Sequence, residues 1–472
     1  MGWELLFGKR SLSVRGSKWG HVFVCHDRRC VPKQRQGKTR AVCLELSFCF
    51  LRLLRLYVKS MDLWARVGMV GALSCYAHRK KSVLTQAAES NGENGSDRGK
   101  PELRLVQVIF RHGARTPLRP IPGVEQVDWD PTLLEIPAQT KFPYIVTNLT
   151  GGPRPFSPYE ENYKKTVLKG GVIAGQLTKV GMQQMFTLGE RLRKRYIEET
   201  NFLSSSYKSS EVLVRSTNIV RNLESTRCLL AGLFQQQKGA VTIVTDNAES
   251  EILYPNPGNC QQLKHIDGWA SVNLQEGLLE DLKNIKQKLG ISNEQKIDFI
   301  LLLDNIFAEQ AHNLPSHPVL KNSMQLIEQR AVDSFFYITK NSSRKILQMS
   351  IGPLLNAIED NIKKAIEPPS SDIKTRKLIL YAAHDVTLFP LLMALGVFDS
   401  KWPPYAADVT LELYQHSKDW FIRLIYNGEE LIPRGCKDGL CPLEDFLNAL
   451  SVYSTEPLVY KMICSQTEEA VL

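Results

Sequence analysis

The chain has 472 residues, 43% hydrophobic and 23% charged, which suffices for one large domain or a domain with a subdomain, and no internal repeat is evident. Its formal charge is +10, yet residues 1–60 hold 13 Lys or Arg against 3 Asp or Glu, so the whole excess lies in that stretch. The remainder is balanced, which gives no reason to expect nucleic-acid binding by it.

Residues 1–60 read as a basic leader of doubtful structure. The Val42 to Val58 stretch is interrupted by Glu45, Arg52 and Arg55, a poor membrane span. His21, Cys25, His26 and Cys30 lack a second ligand pair, so zinc is not expected. From Met61 the character changes: Leu63, Trp64, Val67, Val70 and Leu73 lead to His78-Arg79-Lys80-Lys81 and then to a Gly, Asn and Ser-rich linker ending at Lys100. Residues 61–100 thus read as a targeting-like segment and linker, with a secretory signal peptide as the rival.

An apolar strand over Leu103 to Phe110 delivers Arg111-His112-Gly113-Ala114-Arg115-Thr116-Pro117. A phosphomonoester dianion calls for planar, permanently charged donors that grip two oxygens at once, and Arg111 and Arg115 supply them. A neutral His112 between them, with its second nitrogen held by a backbone acceptor, could attack phosphorus and form a phosphohistidine. About 58 residues then separate Pro117 from Gly175, far more than an ordinary connection. This insert carries Trp129, Leu133, Leu134, Phe142, Tyr144, Phe156, Tyr159 and Tyr163, and is expected to form an apolar flap for an acyl chain beside the phosphate pocket.

Further along, Gly175-Gln176-Leu177-Thr178 precedes a helix over Lys179 to Tyr196. A strand over Glu211 to Val214 is followed by Arg215-Ser216-Thr217 and a helix over Asn218 to Phe234. After a strand at Val241 to Thr245, helices over Leu274 to Leu289, Pro318 to Phe336 and Arg344 to Ile366 gather into a mostly helical cap at about 255–370. A buried strand, Lys377 to Ala383, ends in His384-Asp385, and Val386 to Gly396 continues as a helix, so this pair sits where open α/β sheets bind ligands and where a helix end favours an anion. Strands at Val409 to Gln415 and Trp420 to Tyr426 follow. The class is α/β: a mainly parallel sheet flanked by helices, with three strand ends delivering charged or acid-base groups to one rim. Cys436 and Cys441 have a spacing compatible with a local bridge.

In their order these segments, together with Glu309 to Asn313 and Cys436 to Cys441 before Pro442-Leu443, resemble a histidine acid phosphatase over residues 101–465, leaving 466–472 as a tail. The resemblance implies the histidine phosphatase fold, with His112 as nucleophile, Asp385 as proton donor, and Arg111, Arg115, Arg215 and His384 as the phosphate pocket. It implies no cofactor and no metal, and a Cys260 to Cys464 bridge. Within the family it points to members that hydrolyse lysophosphatidic acid to monoacylglycerol and phosphate. The partner is then a lysophospholipid substrate, with peripheral membrane contact, a monomeric enzyme and a mitochondrial address. Hydrolysis of soluble sugar or inositol phosphates is the alternative, and an inactive lipid- or anion-binding relative the non-enzyme reading.

Overall fold

Strand β1 (Glu102–Arg111) is exposed only at its start and buried from Leu105 onward, as expected for the centre of a sheet covered on both faces. In the computed structural model of the protein, residues 100–235, 239–264, 276–340, 343–367 and 376–465 are described. The basic leader, the targeting-like segment up to residue 99 and the tail 466–472 lie outside them.

β1 pairs in parallel with β5 (Leu378–Ala383) on one side and antiparallel with β6 (Asp408–His416) on the other. Beyond β5 come β3 (Val212–Ser216), β4 (Val241–Thr245) and β2 (Tyr144–Asn148), all parallel; beyond β6 come β7 (Asp419–Tyr426) and β8 (Glu429–Leu431), with β9 (Leu440–Pro442) also on β7. The sheet is therefore parallel in the half that carries β1, β3 and β5 and antiparallel beyond β1. Chain connectivity explains the change. β6 to β8 are joined by tight turns, and Asn427-Gly428, both at positive φ (51° and 89°), links β7 to β8 with the Asn-Gly signature of a two-residue hairpin.

Helices α1 (Pro158–Tyr163), α2 (Lys179–Arg193) and α3 (Val220–Phe234) follow the first two strands and β3. The core on the α2 and α3 side takes Val106, Val108 and Phe110 from β1, while Leu105 and Ile109 point into the opposite core, the two-residue alternation of a strand. Gln107, on the second face, is satisfied by donating to the Ile358 carbonyl at 3.1 Å and accepting from Asn361 at 2.8 Å.

Between β4 and β5 lie α4 (Glu276–Leu289), α5 (Phe299–Ala311), α6 (Pro318–Asn322), α7 (Met324–Lys340), α8 (Ser343–Ser350) and α9 (Gly352–Ile366). Their own core includes Leu278, Phe299, Leu302, Ile306 and Ile327, and takes in Phe389 and Trp402 from the chain after β5. Two expected helices are divided. The span expected from Pro318 to Phe336 breaks at Ser323. The one from Arg344 to Ile366 breaks at Ile351 ahead of Gly352-Pro353, because proline lacks the N–H that would continue the helix. The last helices are α10 (Asp385–Leu395), α11 (Leu443–Ser451) and α12 (Pro457–Ser465). Disulfides Cys260–Cys464 and Cys436–Cys441 are present, and Cys228 is a buried free thiol.

Candidate active site

The turn after β1 is held by backbone contact. A Cβ on Gly113 would lie 2.3 Å from the Gly181 carbonyl oxygen, so only two glycines let the turn reach the first turn of α2. Around it, Gly113 N–H donates to Ser225 Oγ at 3.2 Å, Ala114 N–H to Gln184 Oε1 at 2.8 Å, and Thr178 N–H to the Ala114 carbonyl at 3.1 Å.

This fixes His112, which is buried, with Nδ1 2.9 Å from the Gly113 carbonyl oxygen. A carbonyl only accepts, so Nδ1 carries the proton and Nε2 keeps its lone pair. Burial, then Arg221, Arg115 and Arg111, push the His112 pKa well below 6.5, and the ring stays neutral. His384, at the end of β5, stands 5.6 Å from it, edge to face, with Nε2 3.0 Å from Thr217 Oγ1. Burial and Arg221 hold this imidazole neutral too.

Asp385 opens α10. Its Oδ2 is 2.7 Å from Arg111 Nη2 and accepts from Trp402 Nε1 at 3.0 Å, while Oδ1 accepts from Val386 N–H at 2.8 Å. Burial raises this carboxyl, but Arg111, then Arg115 and the indole, outweigh it and leave it below the usual carboxylate range.

Three guanidiniums complete the site. Arg111 donates to the Pro403 carbonyl at 2.6 Å and lies over Tyr405, 4.3 Å from the ring centre. Arg115 pairs with Asp304 at 2.7 Å and donates to the Thr116 carbonyl at 3.1 Å. Arg221 reaches the Tyr163 hydroxyl at 3.2 Å. Nε of Arg111, Nε of Arg115, and both Nε and Nη1 of Arg221 are buried without a partner among the described residues. Orphaned buried donors cost free energy unless a ligand accepts from them. Four such donors beside a neutral imidazole make an oxyanion site.

One expected member is elsewhere. Arg215 does not line the cavity: its Nη2 is 3.1 Å from Glu251 Oε1 and 3.6 Å from Asp246 Oδ2, and these two acids neutralise it. Its place is taken by Arg221, the second residue of α3. Strand-end position favoured Arg215; the signal for Arg221 was a lone cation in the otherwise uncharged start of that helix. Asp304, Thr217 and Trp402 were also not read from the sequence as site residues.

The site is the end of a cavity of about 650 Å³ whose walls include Tyr159, Tyr163, Tyr254, Ile300, Leu301, Leu303, Phe307, Phe335 and Trp402. The expected flap is corrected by this list. Of the eight insert residues only Tyr159 and Tyr163 reach the cavity. Trp129 is buried against Leu168, Val172 and Ala308 with Leu133 and Leu134 on it, Phe142 and Tyr144 join the core under α2 and α3, and Phe156 is exposed. The insert contributes an edge strand and braces the body, since rings that can pack on existing apolar surface do so. The apolar wall comes chiefly from the helices between β4 and β5.

A family described as the histidine phosphatase superfamily (branch 2) matches residues 102–427. The chain belongs to this superfamily. Lysophosphatidic acid phosphatase type 6 of Homo sapiens is 56% identical to this histidine phosphatase over 416 residues, 87% of this chain and 97% of that protein. The Mus musculus protein of the same description is 54% identical over 412 residues, 86% and 98% of the two chains. Prostatic acid phosphatase of Bos taurus is 30% identical over 387 residues, 76% and 87%. Among solved structures, the phytase of Klebsiella sp ASR1 superposes with a TM-score of 0.51 at 15% identity, covering 77% of this chain and 99% of its own. That likeness shows the fold.

The two arginines should separate in experiment. Arg221→Ala is expected to lower kcat/KM by about 100-fold or more, as loss of a preorganised charge does, with little change in melting temperature. Arg215→Ala leaves Glu251 buried without its cation, which costs about 3–5 kcal/mol, and should show in urea unfolding while the folded fraction keeps its turnover. Turnover lost equally in both variants would return Arg215 to the site.

Proposed function

We propose that this histidine phosphatase hydrolyses lysophosphatidic acid through a phosphohistidine on His112. The observation that carries the reading is the pairing of two unlike halves in one cavity: orphaned guanidinium donors around a neutral imidazole, and an apolar wall of helix side chains. The first half suits a phosphate dianion, the second a single acyl chain. Identity of 56% to a protein named for lysophosphatidic acid supports it.

In the proposed cycle His112 Nε2 attacks phosphorus and displaces the glycerol oxygen, which takes its proton from Asp385. Arg111, Arg115 and Arg221 hold the phosphoryl oxygens through both steps, and His384 donates a further hydrogen bond to the phosphoryl group. Water then attacks the phosphohistidine, giving its proton to Asp385, and phosphate leaves. Arg111 and Arg115 hold Asp385 ionised. A bound dianion offsets those cations, so its arrival raises the carboxyl and readies it as an acid.

The role of Asp385 is tested by leaving group. Asp385→Asn should depress hydrolysis of glycerol lipids strongly and of an activated aryl phosphate less, because the latter departs without a proton. Equal losses would remove Asp385 from the acid role. Label trapped by alkaline denaturation should be found on His112, and His112→Ala should give none.

Substrate class is tested by chain length. Each buried methylene is worth about 0.8 kcal/mol, so kcat/KM for lysophosphatidic acids should rise several-fold over a few added carbons until the cavity is filled. A flat profile, with better turnover of soluble monoesters, would favour the alternative substrates.

The reading includes a monomer, since one chain supplies every group named above, and a mitochondrial address. Two disulfides, Cys260–Cys464 and Cys436–Cys441, support an oxidising compartment. Imaging of the full chain against mitochondrial and secretory markers checks this; co-localisation with the secretory marker would replace it.

A further inference from the structure

Helix α5 is capped by Asp298, whose Oδ1 accepts from Leu301 N–H at 2.7 Å. Beside Leu301, it turns Ile300, Leu303, Asp304 and Phe307 to the cavity, these four in one stripe at helical spacing. Three of these suit an acyl chain. The fourth is a carboxylate, which would repel a phosphate dianion, so its presence needs another explanation.

Both oxygens of Asp304 are engaged on the phosphate-binding turn. Oδ1 is 2.7 Å from Arg115 Nη2, and Oδ2 accepts from Leu118 N–H at 2.9 Å. Next to it on the helix, Asn305 Nδ2 donates to the Arg119 carbonyl at 3.1 Å. At the helix end His312 Nε2 is 2.7 Å from Thr178 Oγ1, and Thr178 N–H reaches the Ala114 carbonyl at 3.1 Å. One helix is thus both a wall of the chain cavity and a strut fastened to the segment that carries Arg115, directly through Asp304 and Asn305 and indirectly through His312 and Thr178. The Arg115 side chain is 3% exposed and that of Asp304 11%, so this pair is largely shielded from solvent screening.

We propose that Asp304 is a positioning residue: it converts acyl-chain contact with α5 into correct placement of the Arg115 guanidinium on the phosphoryl group. Binding energy from the non-reacting end of the substrate is then used at the reacting centre, and chain length raises the rate of phosphoryl transfer as well as affinity. The proposal rests on the lysophospholipid reading above.

The test is single-turnover kinetics of the full chain with glycerol 3-phosphate and with lysophosphatidic acids of graded length, read as a limiting rate and an apparent Kd. In the native protein the limiting rate should rise about five-fold or more from the chain-free substrate to the best lipid. In Asp304→Asn the chain should still tighten Kd, but the limiting rate should no longer depend on it. If Asp304→Asn does not fold, Asp304→Glu, which keeps the charge but displaces the carboxylate by one methylene, should show a diminished chain effect on rate. A limiting rate that is flat in the native protein while Kd tightens, or equally chain-dependent in the variant, overturns the role of Asp304 and leaves the substrate reading standing. If neither rate nor Kd responds to the chain, the lysophospholipid reading falls as well.

Discussion

Three guanidiniums buried around one small volume repel one another, and everything at this end of the sheet is arranged to hold them there. Arg111 is tied by Asp385 across the adjacent ends of β1 and β5, and Arg115 by Asp304 from α5. Each of these two cations therefore has one carboxylate and one backbone carbonyl, and each still has Nε unused. Among the described residues Arg221 has only a phenol. The imidazoles of His112 and His384 are kept neutral by burial and then by the same field, which leaves His112 with a lone pair in a positive pocket. A site so prepared gains most from a doubly charged ligand.

The sheet places these groups without long-range adjustment. β1 and β5 are parallel neighbours, so Arg111 pairs in register with Ala383 and the two chain segments leave the sheet side by side. His112 and His384 are each the next residue along. The helix α10 begins at Asp385, which presents a carboxylate at a helix N-terminus, a favourable place for a negative charge.

Much of this was legible beforehand. β1, β3, β4, β5, β6 and β7 stand within two residues of their expected bounds, because continuous or alternating apolar runs ending in charged residues have few other uses. The Asn427-Gly428 turn was equally readable and went unused, so β8 was missed. α5 was hidden for a different reason: Phe299 to Phe307 is apolar on all sides apart from Asp304 and Asn305, and such a run has no period to distinguish helix from strand. Arg215 lies away from the cavity although its strand-end position pointed to the site, because sequence gives the end of a strand but not which way a side chain there turns. Glu251, which decides the matter, is 36 residues away. The insert misled in the same way, since its rings had partners in the body that no local pattern announces.

Helical spacing along α5 also separates what can change from what cannot. Ile300, Leu303 and Phe307 touch the cavity but bind no catalytic group, whereas Asp304 between them is committed to Arg115 and Leu118. Descendants of this fold could exchange the three apolar positions for polar ones and take up small soluble esters, with β1, β5 and their chemistry untouched. Divergence of substrate would then appear as drift at three sites on one helix around a single invariant acid, a pattern of inheritance written at intervals of three and four residues.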